Sequence, residues 1–326
     1  MHVTIVVPCF NELATLGRLH SAVEQALDDI AESWDLLFID DGSTDGSARL
    51  LPALAQADPR VGYVSFSRNF GKESALLAGL SRARGDVVVM MDGDLQHPPD
   101  LLPAMVAQHL QGYDQVIARR TRSHDGRLRS ALTRMYYAGM KRMVDVPLID
   151  GAGDFRLLSR RAVDALLALP EYNRFSKGLF SWIGFETAVI DYADVARDSG
   201  SSKWSLRALL NYGIDGLLSF NDRPIRLCIY AGLVTTSLSF MYVLWLLFRY
   251  LAQGVETPGY ITLVTAVIGF GGIQLIVLGL LGEYVGRIYY EVKRRPHYVV
   301  RDGSAARDAT RPTSSAEARE TMVARW

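Results

Sequence analysis

Cysteine is nearly absent: among 326 residues only Cys9 and Cys228 occur, one in a strand-like run and one in a long apolar run. Two cysteines so placed exclude a disulfide-built scaffold. An excess of charge is absent too, with 35 basic against 35 acidic residues. The chain therefore carries no bulk attraction toward nucleic acid, and no nucleic-acid partner is expected. Strand-like sequence begins at Val3, which leaves no room for a secretory signal and predicts a cytosolic N-terminal domain. Apolar residues, by contrast, are plentiful at 49%, with a mean hydropathy of +0.10. The excess is local.

Two runs carry no charge at all, Leu227 to Phe248 and Ile261 to Gly282. Each would span about 33 Å as a helix, enough for a bilayer core. Buried soluble helices seldom stay charge-free for so long, so the runs predict membrane helices over 227–249 and 260–282. Arg223 and Arg226 precede the first run, and Arg287, Lys293, Arg294 and Arg295 follow the second. The loop between them carries only Arg249 as a base. Positive flanks stay inside, which predicts a multi-pass protein of the cell membrane with both termini and the N-terminal domain cytoplasmic. Gly269, Gly271, Gly272, Gly279 and Gly282-x-x-x-Gly286 let a helix approach the second run closely. The partner is either the first run of the same chain or a second copy in a homo-oligomer.

Residues 1–204 alternate apolar strands with helical patterns. Strands are predicted at Val3–Val7, Asp35–Asp40, Gly62–Ser67, Val87–Met91 and Gln115–Ala118, with helices at Leu13–Ile30, Thr44–Leu54, Lys72–Arg82 and Pro98–Leu110. This βαβ rhythm implies an α/β domain with a mostly parallel sheet covered on both faces. Ligands of such sheets sit beyond the carboxyl ends of the strands. Beyond Gly126 the pattern changes. Leu128, Leu132, Met135, Tyr136, Met140 and Met143 form an apolar stripe interleaved with Arg127, Arg129, Arg134, Lys141 and Arg142. Such spacing serves either a core-facing helix with a basic outer face or a helix lying on a membrane; the downstream runs favour the membrane for 127–144. A second interfacial helix is predicted over 205–222. The polar, repeat-free stretch 296–326 is expected to be a disordered cytoplasmic tail.

Three strands end in polar clusters. Met91-Asp92-Gly93-Asp94-Leu95-Gln96 follows the most apolar strand. Two carboxylates one residue apart can share a divalent cation that neutralises a diphosphate leaving group. Asp-Gly turns are common in their own right, but this one closes a buried strand. Phe38-Ile39-Asp40-Asp41-Gly42-Ser43-Thr44-Asp45 closes the second strand. Ser43 or Thr44 is expected to cap the following helix there, while Asp40 and Asp41 stand where a carboxylate could bind a base or ribose. Val7-Pro8-Cys9-Phe10-Asn11-Glu12 closes the first strand in the same way.

Together, Pro8-x-Phe10-Asn11-Glu12, Asp40-Asp41-Gly42-Ser43-x-Asp45 and Asp92-x-Asp94-Leu95-Gln96-x-Pro98 resemble the family-two glycosyltransferases of GT-A fold. Gly153-Asp154-Phe155-Arg156-Leu157, Ser202-Lys203-Trp204 and the two apolar runs are similar to the branch acting on polyprenyl phosphates. That branch contains dolichol-phosphate mannose synthases and bactoprenol glucosyltransferases, and the likeness spans about residues 1–295. The resemblance implies a nucleotide-sugar donor, an undecaprenyl-type polyprenyl phosphate acceptor, and inverting transfer of glucose from UDP-glucose. Mannose from GDP-mannose is the alternative.

By the same resemblance Pro8, Asn11, Glu12, Asp40, Asp41, Asp92 and Gln96 would line the nucleotide-sugar pocket. Asp92 and Asp94 would hold Mg²⁺ or Mn²⁺, and Asp94 and Asp154 would be catalytic. Arg129 and Thr133 match positions that bind the lipid phosphate, with Arg119 and Lys203 as further candidates. Fixed cations and hydroxyls at a membrane surface suit an anionic phosphate. A phosphate monoester with a second pKa of about 6 needs little deprotonation, which leaves Asp154 either a base or a positioning residue. A processive polysaccharide synthase would need more membrane helices, and the Arg-Trp pair such enzymes place in a Gln-x-x-Arg-Trp motif occurs here only as Arg325-Trp326. A dead scaffold would not need Asp92, Asp94 and Asp154 intact.

Overall fold

The computed structural model describes residues 1–28, 30–121, 152–169, 171–193 and 259–304, with helical residues also described between 230 and 252. Valine-, isoleucine- and leucine-rich segments buried on both faces form the strands β1 (His2–Cys9), β2 (Ser33–Asp40), β3 (Val61–Phe66) and β4 (Val87–Met90). Such continuous apolar runs are what a central parallel strand requires. Between them lie α1 (Leu13–Leu27), α2 (Ser47–Ala57) and α3 (Lys72–Arg82). After β4 come a short 3-10 turn (Pro99–Leu101), α4 (Leu102–Leu110), β5 (Gln115–Thr121), β6 (Ala152–Ser159), α5 (Arg160–Leu167), α6 (Ser176–Trp182) and β7 (Thr187–Ala193).

The strand order is β7-β5-β6-β4-β1-β2-β3-β8. Neighbours pair in parallel except at β6, which runs antiparallel to β4 and β5, and at β8 (Val300–Ser304), antiparallel to β3. One face of the sheet packs Leu16, Leu19 and Val23 of α1, Leu51 of α2 and Leu102 and Met105 of α4. The other packs Ala75, Leu76 and Leu80 of α3, Val163 and Leu166 of α5 and Leu179 and Phe180 of α6. The sequence-predicted strands and helices through Ala118 all form, with shifted ends.

The C-terminal half of the hairpin is α7 (Tyr260–Lys293), 34 residues, or about 51 Å. It outruns the expected 260–282 because Glu283, Arg287 and Glu291 continue the helix on its charged side. Among the described residues, one helix, over Gly269–Lys293, is long and apolar enough to cross a membrane. Leu275, Ile276 and Leu278 on it are exposed. The described residues between 230 and 252 are helical, overlapping the first span predicted over 227–249 and reaching three residues beyond its end. The expectation of a disordered tail from 296 fails for Val300–Ser304, which form β8. Composition missed it because an edge strand of five residues is held by its partner strand and not by its own burial. The interfacial segments 127–144 and 205–222, with Arg129, Thr133 and Lys203, lie outside the described residues.

Candidate active site

The carboxyl ends of β1, β2 and β4 meet along one edge, and each turn is fixed by hydrogen bonds to its neighbour. Pro8 pairs in register with Ile39. Asn11, at φ 58°, receives Thr44 N–H on its side-chain oxygen at 2.8 Å and donates its own N–H to Ser43 Oγ at 2.9 Å. Glu12 N–H donates to Ser47 Oγ at 3.2 Å. The expected Ser43 or Thr44 helix cap does not form. Asp45 takes that work instead, accepting from Ser47 N–H and Oγ–H at 2.9 and 2.7 Å and from Leu13 N–H at 3.0 Å. Gly46, at φ 104°, delays the start of α2 to Ser47.

Asp40 and Asp41 do different jobs. Asp41 accepts from Phe70 N–H at 2.6 Å and Gly71 N–H at 2.9 Å, so its two oxygens hold the turn that leads into α3. Burial pushes its carboxyl upward, against the pull of those two amides. Gly42 lets the β2 turn lie against the chain at 68–69. Its φ is +72°, and a Cβ there would stand 2.5 Å from the Arg68 carbonyl carbon. Asp40 is fully buried. One of its oxygens accepts from Ser43 N–H at 2.9 Å, and the other has no hydrogen-bond partner among the described residues.

The turn held by Asp41 leads directly into Lys72, the first residue of α3 and one that the sequence placed inside a helical pattern. Its Nζ stands 2.6 Å from Asp92 Oδ1 and 2.6 Å from Asp154 Oδ2. Sheet register explains the meeting. β4 and β6 pair antiparallel with Met90 opposite Arg156, so two residues further on Asp92 and Asp154 face each other across the edge. Asp92, expected in the donor pocket, and Asp154, expected to be catalytic, are therefore joined through the Lys72 ammonium, a partner that only the fold reveals. The signal was present in the sequence as a Gly-Lys pair opening a helix after the third strand.

Electrostatics sharpen the arrangement. Burial alone would raise the Asp154 carboxyl; Lys72, Lys177 and Arg156 outweigh it and hold the group at about 2. The two carboxylates push the Lys72 ammonium well above its ordinary range, despite burial. Burial lowers the Arg156 guanidinium to about 10. Arg156 lies over the Phe180 ring at 3.7 Å and donates to the Gly153 carbonyl at 3.0 Å. His97 supports the β4 turn: its Nδ1 accepts from Asp92 N–H at 2.9 Å, and its ring stacks on Phe155 with centroids 4.9 Å apart. Burial lowers its pKa, keeping the ring neutral. Gln96 N–H donates to Asp94 Oδ1 at 3.1 Å, and Leu95 between them takes φ 59°. Glu73, next to Lys72, accepts from both the amide and the hydroxyl of Ser176, tying α6 to α3. Arg119 is not gathered into this group; its guanidinium is held by Asp191 of β7 at 2.6 and 2.9 Å.

Among the described residues, no three His, Cys, Asp or Glu side chains cluster to hold a metal. Two neighbouring carboxylates at a turn still fit one: Mg²⁺ and Mn²⁺ commonly take one or two protein carboxylates and complete their shell with substrate phosphates and water. Asp92 and Asp94 are such a pair.

A mostly parallel sheet whose carboxyl edge gathers these carboxylates around one lysine defines a nucleotide-binding α/β domain of GT-A type. The chain belongs to glycosyl transferase family 2, whose profile matches residues 4–167, and it is a glycosyltransferase. A second profile, the GtrB C-terminal hairpin, matches residues 223–288. CsbB of Bacillus subtilis is 47% identical over 302 residues, covering 93% of this chain and 92% of its own. The SfII prophage-derived bactoprenol glucosyl transferase of Shigella flexneri is 40% identical, covering 92% of this chain and 98% of its own. The prophage bactoprenol glucosyl transferase homolog of Escherichia coli is 37% identical, covering 92% and 99%. Among solved structures, glucosyl-3-phosphoglycerate synthase from Mycobacterium tuberculosis with Mn²⁺ and UDP-glucose is 22% identical. It covers 67% of this chain and 78% of its own, at a TM-score of 0.45.

Proposed function

We propose that the protein transfers glucose from UDP-glucose to a polyprenyl phosphate, of the undecaprenyl type, at the cytoplasmic face of the membrane. The observation that carries this reading is similarity to bactoprenol glucosyl transferases over nine-tenths of the chain, C-terminal hairpin included. In this reading the base lies against Asp40 at the end of β2, and Pro8, Asn11 and Glu12 wall the pocket. The diphosphate lies over the β4 turn, flanked by Asp92, Asp94, Gln96 and Lys72. A divalent ion on Asp92 and Asp94 would neutralise charge on the diphosphate as it leaves.

Transfer is a single displacement. An oxygen of the acceptor phosphate forms the new bond to the anomeric carbon, on the face opposite the donor's diphosphate. The old carbon–oxygen bond breaks and its electron pair leaves on UDP, so the anomeric configuration inverts. The acceptor arrives already ionised, since its second pKa is about 6, and no proton has to be removed. Asp154, held at about 2, stays a carboxylate and is a poor base. Its work is to fix Lys72 against the reacting phosphates. Arg129, Thr133 and Lys203 supply the acceptor phosphate with cations and a hydroxyl. The exposed apolar side of α7 lies in lipid, with both termini inside.

The test is a donor comparison with undecaprenyl phosphate as acceptor. UDP-glucose should give the highest kcat/KM. A preference for GDP-mannose would replace glucose by mannose and leave the class standing. Transfer to neither would reject the lipid acceptor.

A further inference from the structure

The last strand of the sheet is delivered by the membrane helix. Six residues, 294–299, separate α7 from β8. β8 is fixed against β3 at four points. Ser67 N–H donates to the Val299 carbonyl at 2.9 Å. Tyr63 OH donates to Asp302 Oδ2 at 3.0 Å. The Tyr298 ring stacks on Phe66 with centroids 4.8 Å apart. Gly303 lies so close to β3 that a Cβ would stand 2.9 Å from the Tyr63 carbonyl oxygen.

That register places Arg301 at the irregularity between the Ser65 and Phe66 pairings, at the ligand edge of β3. Its Nη2 stands 3.9 Å from Asp40 Oδ2, the buried oxygen that lacks a hydrogen-bond partner among the described residues. Ser65, the register partner of Asp40, is buried as well, and its hydroxyl likewise has no partner there. Directly paired residues leave a sheet on the same face. One unengaged acceptor thus lies beside two groups able to donate, the Ser65 hydroxyl and the Arg301 guanidinium.

We propose that Arg301 is a base-specificity residue of the donor site, donating to a carbonyl oxygen of uracil while Asp40 accepts the neighbouring ring N–H. The inference rests on the reading of the donor as a nucleoside-diphosphate sugar. Uracil presents one N–H flanked by two carbonyl oxygens, which matches a single acceptor with donors beside it. Guanine presents two N–H donors side by side, and the second would face the guanidinium. Cytosine offers an acceptor where Asp40 also offers one. The guanidinium, half-exposed on the solvent side of Asp40, yields to the base by a rotamer change. A strand carried by the membrane anchor therefore completes the nucleotide pocket.

The experiment titrates UDP and GDP separately into the full-length protein in detergent, as wild type, Arg301→Ala, Arg301→Lys and Gly303→Val. Arg301→Ala should weaken UDP about tenfold or more, the size of one charged hydrogen bond. GDP should weaken much less, so the preference for UDP narrows. Arg301→Lys should recover part of it. Gly303→Val, which pushes β8 from β3 without touching the guanidinium, should reproduce the alanine result. In turnover the loss should fall on KM for the donor, with kcat within about threefold. Unchanged UDP affinity in Arg301→Ala, or equal losses for UDP and GDP, overturns the role of Arg301 while the donor reading survives. A wild-type protein that binds neither nucleotide overturns both.

Discussion

Lys72→Met removes the cation shared by Asp92 and Asp154 and keeps most of the apolar stem. The two carboxylates stand 2.6 Å from its Nζ on either side, so the variant leaves two acidic groups facing each other. Asp154 sits at about 2 against an ordinary 3.8, a difference of about 2.4 kcal/mol in favour of its charged form. Without Lys72, burial opposes that charge, and Lys177 and Arg156 remain to support it. An incoming diphosphate would add further negative charge to the same place. Loss of one preorganised electrostatic contact typically costs 10²–10³ in rate, so kcat/KM should fall by about 100-fold or more. Lys72→Arg should recover a fraction, because it restores charge with a bulkier, planar head. The assay is initial-rate kinetics with labelled UDP-glucose and undecaprenyl phosphate in detergent, beside a thermal melt of each variant. A folded Lys72→Met enzyme within threefold of wild type would refute the assignment.

Three further outcomes are expected. Asp94→Asn should lose at least two orders of magnitude in rate, and exhaustive chelation should abolish turnover; activity surviving chelation would dismiss the metal. Arg129→Ala should weaken acceptor use by about 1.5–3 kcal/mol and leave UDP binding unchanged; paired titrations with lipid phosphate and UDP decide, and equal losses would remove Arg129 from the acceptor site. Asp58 is raised by burial but lowered further by Arg60 and His20, to about 2. Its folded value lies below the unfolded one, so its contribution of about 2 kcal/mol is complete above pH 4 and fades as pH falls toward 2. The melting gap between wild type and Asp58→Asn should narrow over that window, and a constant gap would contradict the pairing.

Much of the fold could be read directly because parallel strands buried on both faces leave long apolar runs. Val3–Val7 and Val87–Met91 are such runs, and the polar clusters after them mark the ligand edge by rule. The residues that complete the site were harder to read because they are placed by long-range register. Asp154 meets Asp92 only because β6 inserts antiparallel beside β4, and no local signal in Gly153–Leu157 states that direction. Lys72 looks like an ordinary first-turn lysine until Asp41, 31 positions earlier, fixes the turn before its helix. The Asp-Asp pair read as a base-binding unit divides its labour, with Asp41 spent on the backbone amides of Phe70 and Gly71 and Asp40 buried with one oxygen lacking a hydrogen-bond partner among the described residues. β8 was read as disorder since Val-Arg-Asp-Gly-Ser has little strand character by itself. Its order comes from Tyr63, Phe66 and the close approach at Gly303.

The central claim is glucosyl transfer to a lipid phosphate, and it is tested most directly by incubating the purified full-length protein with Mg²⁺ or Mn²⁺, UDP-[¹⁴C]glucose and undecaprenyl phosphate and measuring label in the organic phase. The account predicts organic-soluble label that grows with enzyme, requires the lipid and the metal, and vanishes in Asp94→Asn. Label that stays in the aqueous phase with every component present, or an equal yield from Asp94→Asn, would contradict it.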